Sequence, residues 1–274
     1  MGHAVKAYER LVRRFERMAV LGEASAILGW DASVMMPAGG SKARGEQFAV
    51  LASVSHEMLI APEVRDDLAE AGSGRGSEVL NDPWQARNLH LMHHAYKRAT
   101  ALPTSLVGAM ARANTACENI WREARKQSDF SMVAGALAEV VGLAREQAQA
   151  LAPVLGMSPY DCLMDGFQPG LLAQDVTPIF QDYRLFLEQA LPRVEERQAR
   201  QKKPLPLTGS FAAERQEALC RSLSLRAGLE ADHSRLDRST HPFCGGIPTD
   251  VRITTRYDES NFAKSLLGVM HETG

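Results

Sequence analysis

The chain has 274 residues, 45% hydrophobic and 23% charged, enough for one large domain or two small ones with a substantial core. Its 31 Lys and Arg stand against 33 Asp and Glu, a formal net charge of −2 without a run of like charge. That balance argues against a nucleic-acid or anionic-membrane surface, and no segment reaches the roughly 18 uncharged apolar residues of a membrane span.

Helical patterning dominates. Leu11, Phe15, Met18, Val20, Leu21, Ala24 and Ile27 mark one buried face of a long first helix, expected to end at Trp30-Asp31. Lys6, Glu9, Arg10, Arg13 and Arg14 interrupt the apolar run that a secretory signal requires, so none is expected. Residues 36–40 read as a turn, Ser41 as the cap of a second helix to about Ile60, and Pro62 as a restart. The Gly/Ser-rich stretch 71–77 reads as a flexible, exposed connection. Asp82-Pro83 opens a helix to about Thr100, and Leu102-Pro103 separates it from another over Thr104 to Lys126. Phe130 to Ala152 is a further helix closed by Pro153, and residues 155–170 read as irregular. Thr177 to Gln201 is a long charged helix, and residues 212–227 form a shorter one.

The end of the chain differs. Residues 250–257 alternate, with Val251, Ile253, Thr255 and Tyr257 on one side and Asp250, Arg252, Thr254 and Arg256 on the other, which predicts a half-buried strand. Asp258 then caps a helix whose buried stripe is Phe262, Leu266, Val269 and Met270. The expected fold is mainly all-α, a single long-helix domain over 1–274 with a short β-strand element just before the C-terminal helix. No fixed-period repeat or composition shift divides it.

That last helix carries His271-Glu272-Thr273-Gly274, the front of an H-E-x-x-H pattern. The full pattern sets two imidazoles one turn apart with a carboxylate between them as general base. A His-Glu pair alone is weak, as His56-Glu57 illustrates. Its order after His241-Pro242-Phe243 and the Asp250/Arg252/Thr254 strand strengthens it, because a strand edge beside such a helix can pair with an extended peptide.

These runs, with Gly29-Trp30-Asp31, Met36-Pro37, Trp121, Ala124-Arg125, Asp129-Phe130, Pro159-Tyr160-Asp161, Asp165, Pro169-Gly170 and Arg235-Leu236-Asp237, resemble the carboxypeptidase Taq family of metallocarboxypeptidases. Gln168 stands where members usually have Glu, and Ala32-Ser33 replaces a polar pair. The resemblance covers about the first half of a member and implies a helical fold with a deep cleft. It also implies one catalytic divalent metal, usually zinc, release of C-terminal residues from peptides, and frequent homodimers. His271 would be the first metal ligand and Glu272 the general base. His241, Asp250, Arg252 and Thr254 would shape the substrate cleft. The remaining ligands and the groups that grip the substrate carboxylate would lie beyond Gly274, so the 274-residue chain is expected to be inactive alone and not to retain the metal. A second reading is a non-catalytic helical interaction module that keeps the scaffold.

Competing features have plainer readings. His90, His93 and His94 have no acidic partner nearby in sequence and suit a half-buried helix. Trp30-Asp31 suits a packing anchor as well as a substrate groove. Arg252 more readily braces its strand against Asp250 or Glu259 than binds a free carboxylate. Cys117, Cys162, Cys220 and Cys244 lack a C-x-x-C pair and read as free, mostly buried thiols of a cytoplasmic protein. Cys244 has no matched base to make it a nucleophile.

Overall fold

The computed structural model describes residues 3–72 and 82–274. In chain order the helices are α1 (His3–Val34), α2 (Ser41–Ile60), α3 (Pro62–Gly72), α4 (Pro83–Thr100), α5 (Thr104–Gln127), α6 (Ser131–Leu155), α7 (Pro159–Asp165), α8 (Ala173–Ala199) and α9 (Ala213–Arg226). Strands β1 (Ser234–Arg238), β2 (Phe243–Ile247) and β3 (Asp250–Thr255) follow, and α10 (Phe262–Thr273) ends the chain. The fold is mainly α, as its periodicity predicts. The loop expected over 71–77 lies, from residue 73 onward, outside the described residues. Among the described residues no helix is long and apolar enough to cross a membrane, and all four cysteines are free.

Two clusters of buried residues organise the packing. In the first, Leu11 of α1, Val64 and Leu68 of α3, and Leu89 and Met92 of α4 meet in one core. Each pair is three or four residues apart, the spacing that places side chains on one helix face. Arg10 closes the edge of this core, donating to Asp67 and Glu70 at 2.8 Å each. In the second, Cys220 of α9, Leu236 of β1, Ile253 of β3 and Val269 of α10 bury the sheet between two helices.

The sheet order is β1-β3-β2, with β1 parallel and β2 antiparallel to β3. The expected strand is therefore its centre, which explains why Ile253, Thr254 and Thr255 are all buried instead of alternating. β1 and β2 were not expected. β1 has only five residues, and the Gly245-Gly246 pair of β2 removes the side chains that announce a strand. Gly246 pairs with Val251 at φ 85°, and a Cβ there would lie 2.1 Å from the Asp250 carbonyl oxygen. Gly246→Ala should therefore cost ~1–3 kcal/mol in backbone strain alone, with the clash added. Gly135→Ala in α6, where a Cβ meets open space, should instead stabilise by ~0.5–1 kcal/mol. Urea midpoints of the two variants, moving in opposite directions, check both.

Other boundaries shift for local reasons. α1 continues one turn past Trp30 because nothing before Pro37 breaks it; Arg44 and Arg122 then tie its end to α2 and α5 through Leu28 O, Asp31 and Ala32 O. Pro153 lies inside α6, whose end is set by Gly156 at φ 67°. The stretch expected to be irregular contains α7, capped by Ser158, whose Oγ accepts from Asp161 N at 3.1 Å. α8 begins at Ala173 and ends at Ala199. Asn261, not Asp258, caps α10, accepting from Ala263 N at 3.1 Å. Asp258 instead closes a turn, binding Lys264 Nζ at 2.7 Å and Ser260 N at 2.9 Å, and these contacts hold its carboxyl well below the usual range.

Candidate active site

α10 is fixed to α9 by apolar packing and by a buried polar chain. Val269 is fully buried against Cys220 and Ile253. On the same helix face, Ser265 Oγ donates to Gln216 Oε1 at 2.7 Å. The Gln216 amide donates to Phe211 O at 2.6 Å and Asp258 O at 2.9 Å, so one buried side chain joins both ends of the 211–258 segment to α10. Thr273 Oγ1 lies 2.8 Å from Val269 O and 3.1 Å from Ser224 Oγ, holding the last turn against α9. A helix end otherwise frays. Sequence reading missed this network, because Gln216, Ser224 and Ser265 carry no pattern that reports a buried partner 49 residues away.

On that turn His271 is exposed and Glu272 half-buried. Neither side chain makes a hydrogen bond or ion pair with the described residues. Glu272 lies near β2: burial, then the Glu272 charge, pushes the Cys244 thiol pKa up. A raised pKa keeps this exposed thiol protonated and weakens it as a nucleophile.

The segment 239–243 runs beside α10, with Pro242 next to Gly268, and carries His241, whose side chain is exposed. Fully buried Thr254 organises it. Its Oγ1 accepts from Ser239 Oγ at 2.8 Å and from Phe243 N at 3.0 Å, with His241 O and Phe243 O also within 3.5 Å. Thr254 thus acts on the main chain that presents His241 and does not face solvent. Arg125 of α5 also donates to Thr240 O of this segment, at 3.5 Å.

Arg252 braces its strand, as its spacing suggests. Nε and Nη2 donate to the two Asp250 oxygens at 3.0 and 2.6 Å. This pairing, then burial working against it, holds the Asp250 carboxyl below its ordinary pKa. Arg252 also lies over the Trp30 ring, 4.1 Å from its centroid, and its strand neighbour Arg235 lies 4.6 Å away, itself held by Asp237. Trp30 is 5% exposed and joins α1 to the sheet. Its indole N–H has no partner among the described residues. Trp30→Ala should cost ~3–5 kcal/mol. Trp30→Phe should recover most of that, since the ring is the part in use and the N–H is an unpaired buried donor. Thermal or urea unfolding of the pair checks the ordering.

The histidines of α4 form no metal cluster with other residues; among the described residues no group of three or more His, Cys, Asp or Glu could hold an ion. His94 Nε2 lies 2.8 Å from Asp165 of α7, which also binds Arg98 at 2.5 Å. His56 is likewise a core residue, with Nε2 3.0 Å from Leu102 O.

Comparison with known proteins places this arrangement. The carboxypeptidase Taq (M32) metallopeptidase family matches residues 10–274. Thermostable carboxypeptidase 1 of Thermus thermophilus is 33% identical over 278 residues, covering 98% of this chain and 54% of that protein. Thermostable carboxypeptidase 1 of Pyrococcus furiosus is 29% identical over 97% of this chain and 52% of its own length. The structure of Trypanosoma cruzi metallocarboxypeptidase 1 superimposes with a TM-score of 0.83 at 36% identity, covering 98% of this chain and 53% of that one. The chain thus spans about half the length of the relatives it matches, and it belongs to the carboxypeptidase Taq (M32) metallopeptidase family.

Proposed function

We propose that this chain is the part of a metallocarboxypeptidase that presents the first metal ligand, His271, and the general base, Glu272. The protein that contains it would release C-terminal residues from peptides, with zinc as the metal. The observation that carries the reading is the last turn of α10. It is held by Val269, Ser265 and Thr273, yet it offers an imidazole and a carboxylate with no partner among the described residues.

The donor set in this chain does not close a metal centre. Catalytic zinc takes three protein ligands and leaves one position open, and among the described residues no such group assembles. What this chain supplies is position: Glu272 to take and return a proton, and the 239–243 segment with His241 along one side. Asp250 and Arg252, locked to each other and to Trp30, with Thr254 beneath, would shape the cleft by fixing that segment and the sheet. The four free thiols support a reducing, cytoplasmic setting.

The test uses a polypeptide that extends this chain to the length of its relatives. His271→Ala should lose bound metal and activity together, whereas Glu272→Gln should keep the metal and lose turnover. Full activity in either variant would remove these two residues from the site.

A further inference from the structure

Among the described residues, the half-buried arginines are Arg14, Arg44, Arg98, Arg122, Arg125 and Arg252. All but Arg125 lie within 3.9 Å of a carboxylate: Arg14 of Glu63, Arg44 of Asp31, Arg98 of Asp165, Arg122 of Glu118 and Arg252 of Asp250. Arg125 has no ion pair among the described residues. A partly desolvated charge without a counter-charge is costly, so what surrounds it is informative.

The carboxylates nearest to Arg125 in sequence are all taken. Glu118 binds Arg122 at 2.6 Å, and Glu123 binds Lys126 and Gln127 at 3.3 and 2.8 Å. Asp129 accepts from the Ser131 N–H and hydroxyl at 2.9 and 2.6 Å. Arg125 instead lies over the ring of Trp121, one turn earlier on α5, with Cζ 5.3 Å from the centroid. Trp121 is 37% exposed, so this platform is open. A guanidinium stacked on an aromatic face keeps its in-plane N–H groups available. Arg125 spends one of them on Thr240 O, and the rest of the fork matches a carboxylate. The same contact sets that fork beside His241, on the segment that borders the candidate site.

We propose that Arg125, held on Trp121, receives the side-chain carboxylate of an Asp or Glu in a bound peptide. The inference rests on the peptidase reading above and adds a substrate class to it: peptides with an acidic residue in the stretch that lies along the 239–243 segment. Arg125 is a specificity residue in this scheme and takes no part in proton transfer.

The chain's three tryptophans, Trp30, Trp84 and Trp121, supply the probe. In the 274-residue chain with nitrogen-15 indoles, the acetylated and amidated pentapeptide Ala-Ala-Glu-Ala-Ala should shift the Trp121 NMR signal, assigned with Trp121→Phe. The Trp30 and Trp84 signals should stay in place. The Kd should be at least about fivefold lower than that of the same peptide with Gln. Arg125→Gln should erase this preference, and Arg125→Lys, which keeps the charge but not the fork, should retain only part of it. Unchanged Trp30 and Trp84 signals show that each variant is folded; should Arg125→Gln unfold, Arg125→Lys carries the test. Equal affinity for the Glu and Gln peptides, or a preference undiminished in the variants, would overturn the proposal. A Gln peptide with a free C-terminal carboxylate that binds as tightly as the amidated Glu peptide would also overturn it, since the ligand would then be the chain end. These titrations need neither metal nor turnover, so they can fail while the peptidase reading stands. In a polypeptide extended to the length of the relatives, Arg125→Gln should bring the ratio of kcat/KM for Glu over Gln substrates toward one. Absence of all hydrolysis there would overturn the peptidase reading and leave the binding result standing.

Discussion

Glu272→Gln, in a polypeptide extended to the length of the relatives, is expected to lower kcat by ~10²–10⁴ while leaving KM within a few-fold. The substitution keeps the size of the side chain and its half-buried place on α10, and removes the only property that the proposed role requires of it, the capacity to hold a proton. Nothing in the described fold depends on that carboxylate: it makes no hydrogen bond or ion pair. A loss of activity with unchanged melting and unchanged metal content therefore reports proton transfer and not stability. His271→Ala should separate from it by losing metal. Steady-state kinetics and metal analysis on the same preparations check both.

The second large effect concerns Asp165, whose side chain is 0% exposed. Its Oδ2 lies 2.5 Å from Arg98 Nη1 and 2.8 Å from His94 Nε2, and its Oδ1 accepts from Gly170 N at 3.0 Å. One carboxylate thus ties α4, α7 and the start of the segment leading to α8. Asp165→Ala leaves the Arg98 guanidinium, only 19% exposed, without its counter-charge. Breaking a buried pair from one side costs ~3–5 kcal/mol. Burial opposes ionisation of Asp165, but the Gly170 amide, Arg98 and His94 outweigh it and hold the carboxyl below its ordinary pKa. A lowered folded-state pKa contributes stability that is complete above the unfolded value of ~3.9 and is lost as pH falls through the folded one. The gap between parent and Asp165→Ala should therefore be widest near neutral pH and shrink in acid. Urea denaturation at several pH values tests this; a gap independent of pH would show that packing, not charge, is what Asp165 contributes.

The long helices were legible in the sequence because their apolar residues repeat at the helical period over many turns, as Leu11, Phe15 and Met18 do. β3 was legible for the corresponding reason at period two. Short elements were not: five residues of β1 and the glycines of β2 give too few side chains to show a period, and α7 hid among Pro and Gly although Ser158-Pro159 with Asp161 is a helix-start signature. At the candidate site, His271 and Glu272 were readable as a local motif. Their support was not, because Gln216, Ser265 and Thr254 act through partners distant in sequence or through the main chain. The placement of Arg235 and Arg252 over Trp30 likewise depends on the parallel pairing of β1 with β3, which no local pattern announces.

The central claim is that α10 presents part of a metal centre whose other ligands this chain does not itself provide. Equilibrium dialysis of the purified 274-residue chain against zinc, followed by assay for release of C-terminal residues from peptides, tests it most directly. The expected result is no tight stoichiometric zinc and no turnover, with circular dichroism showing the helical fold intact. One tightly bound zinc per chain together with catalytic turnover would contradict the account.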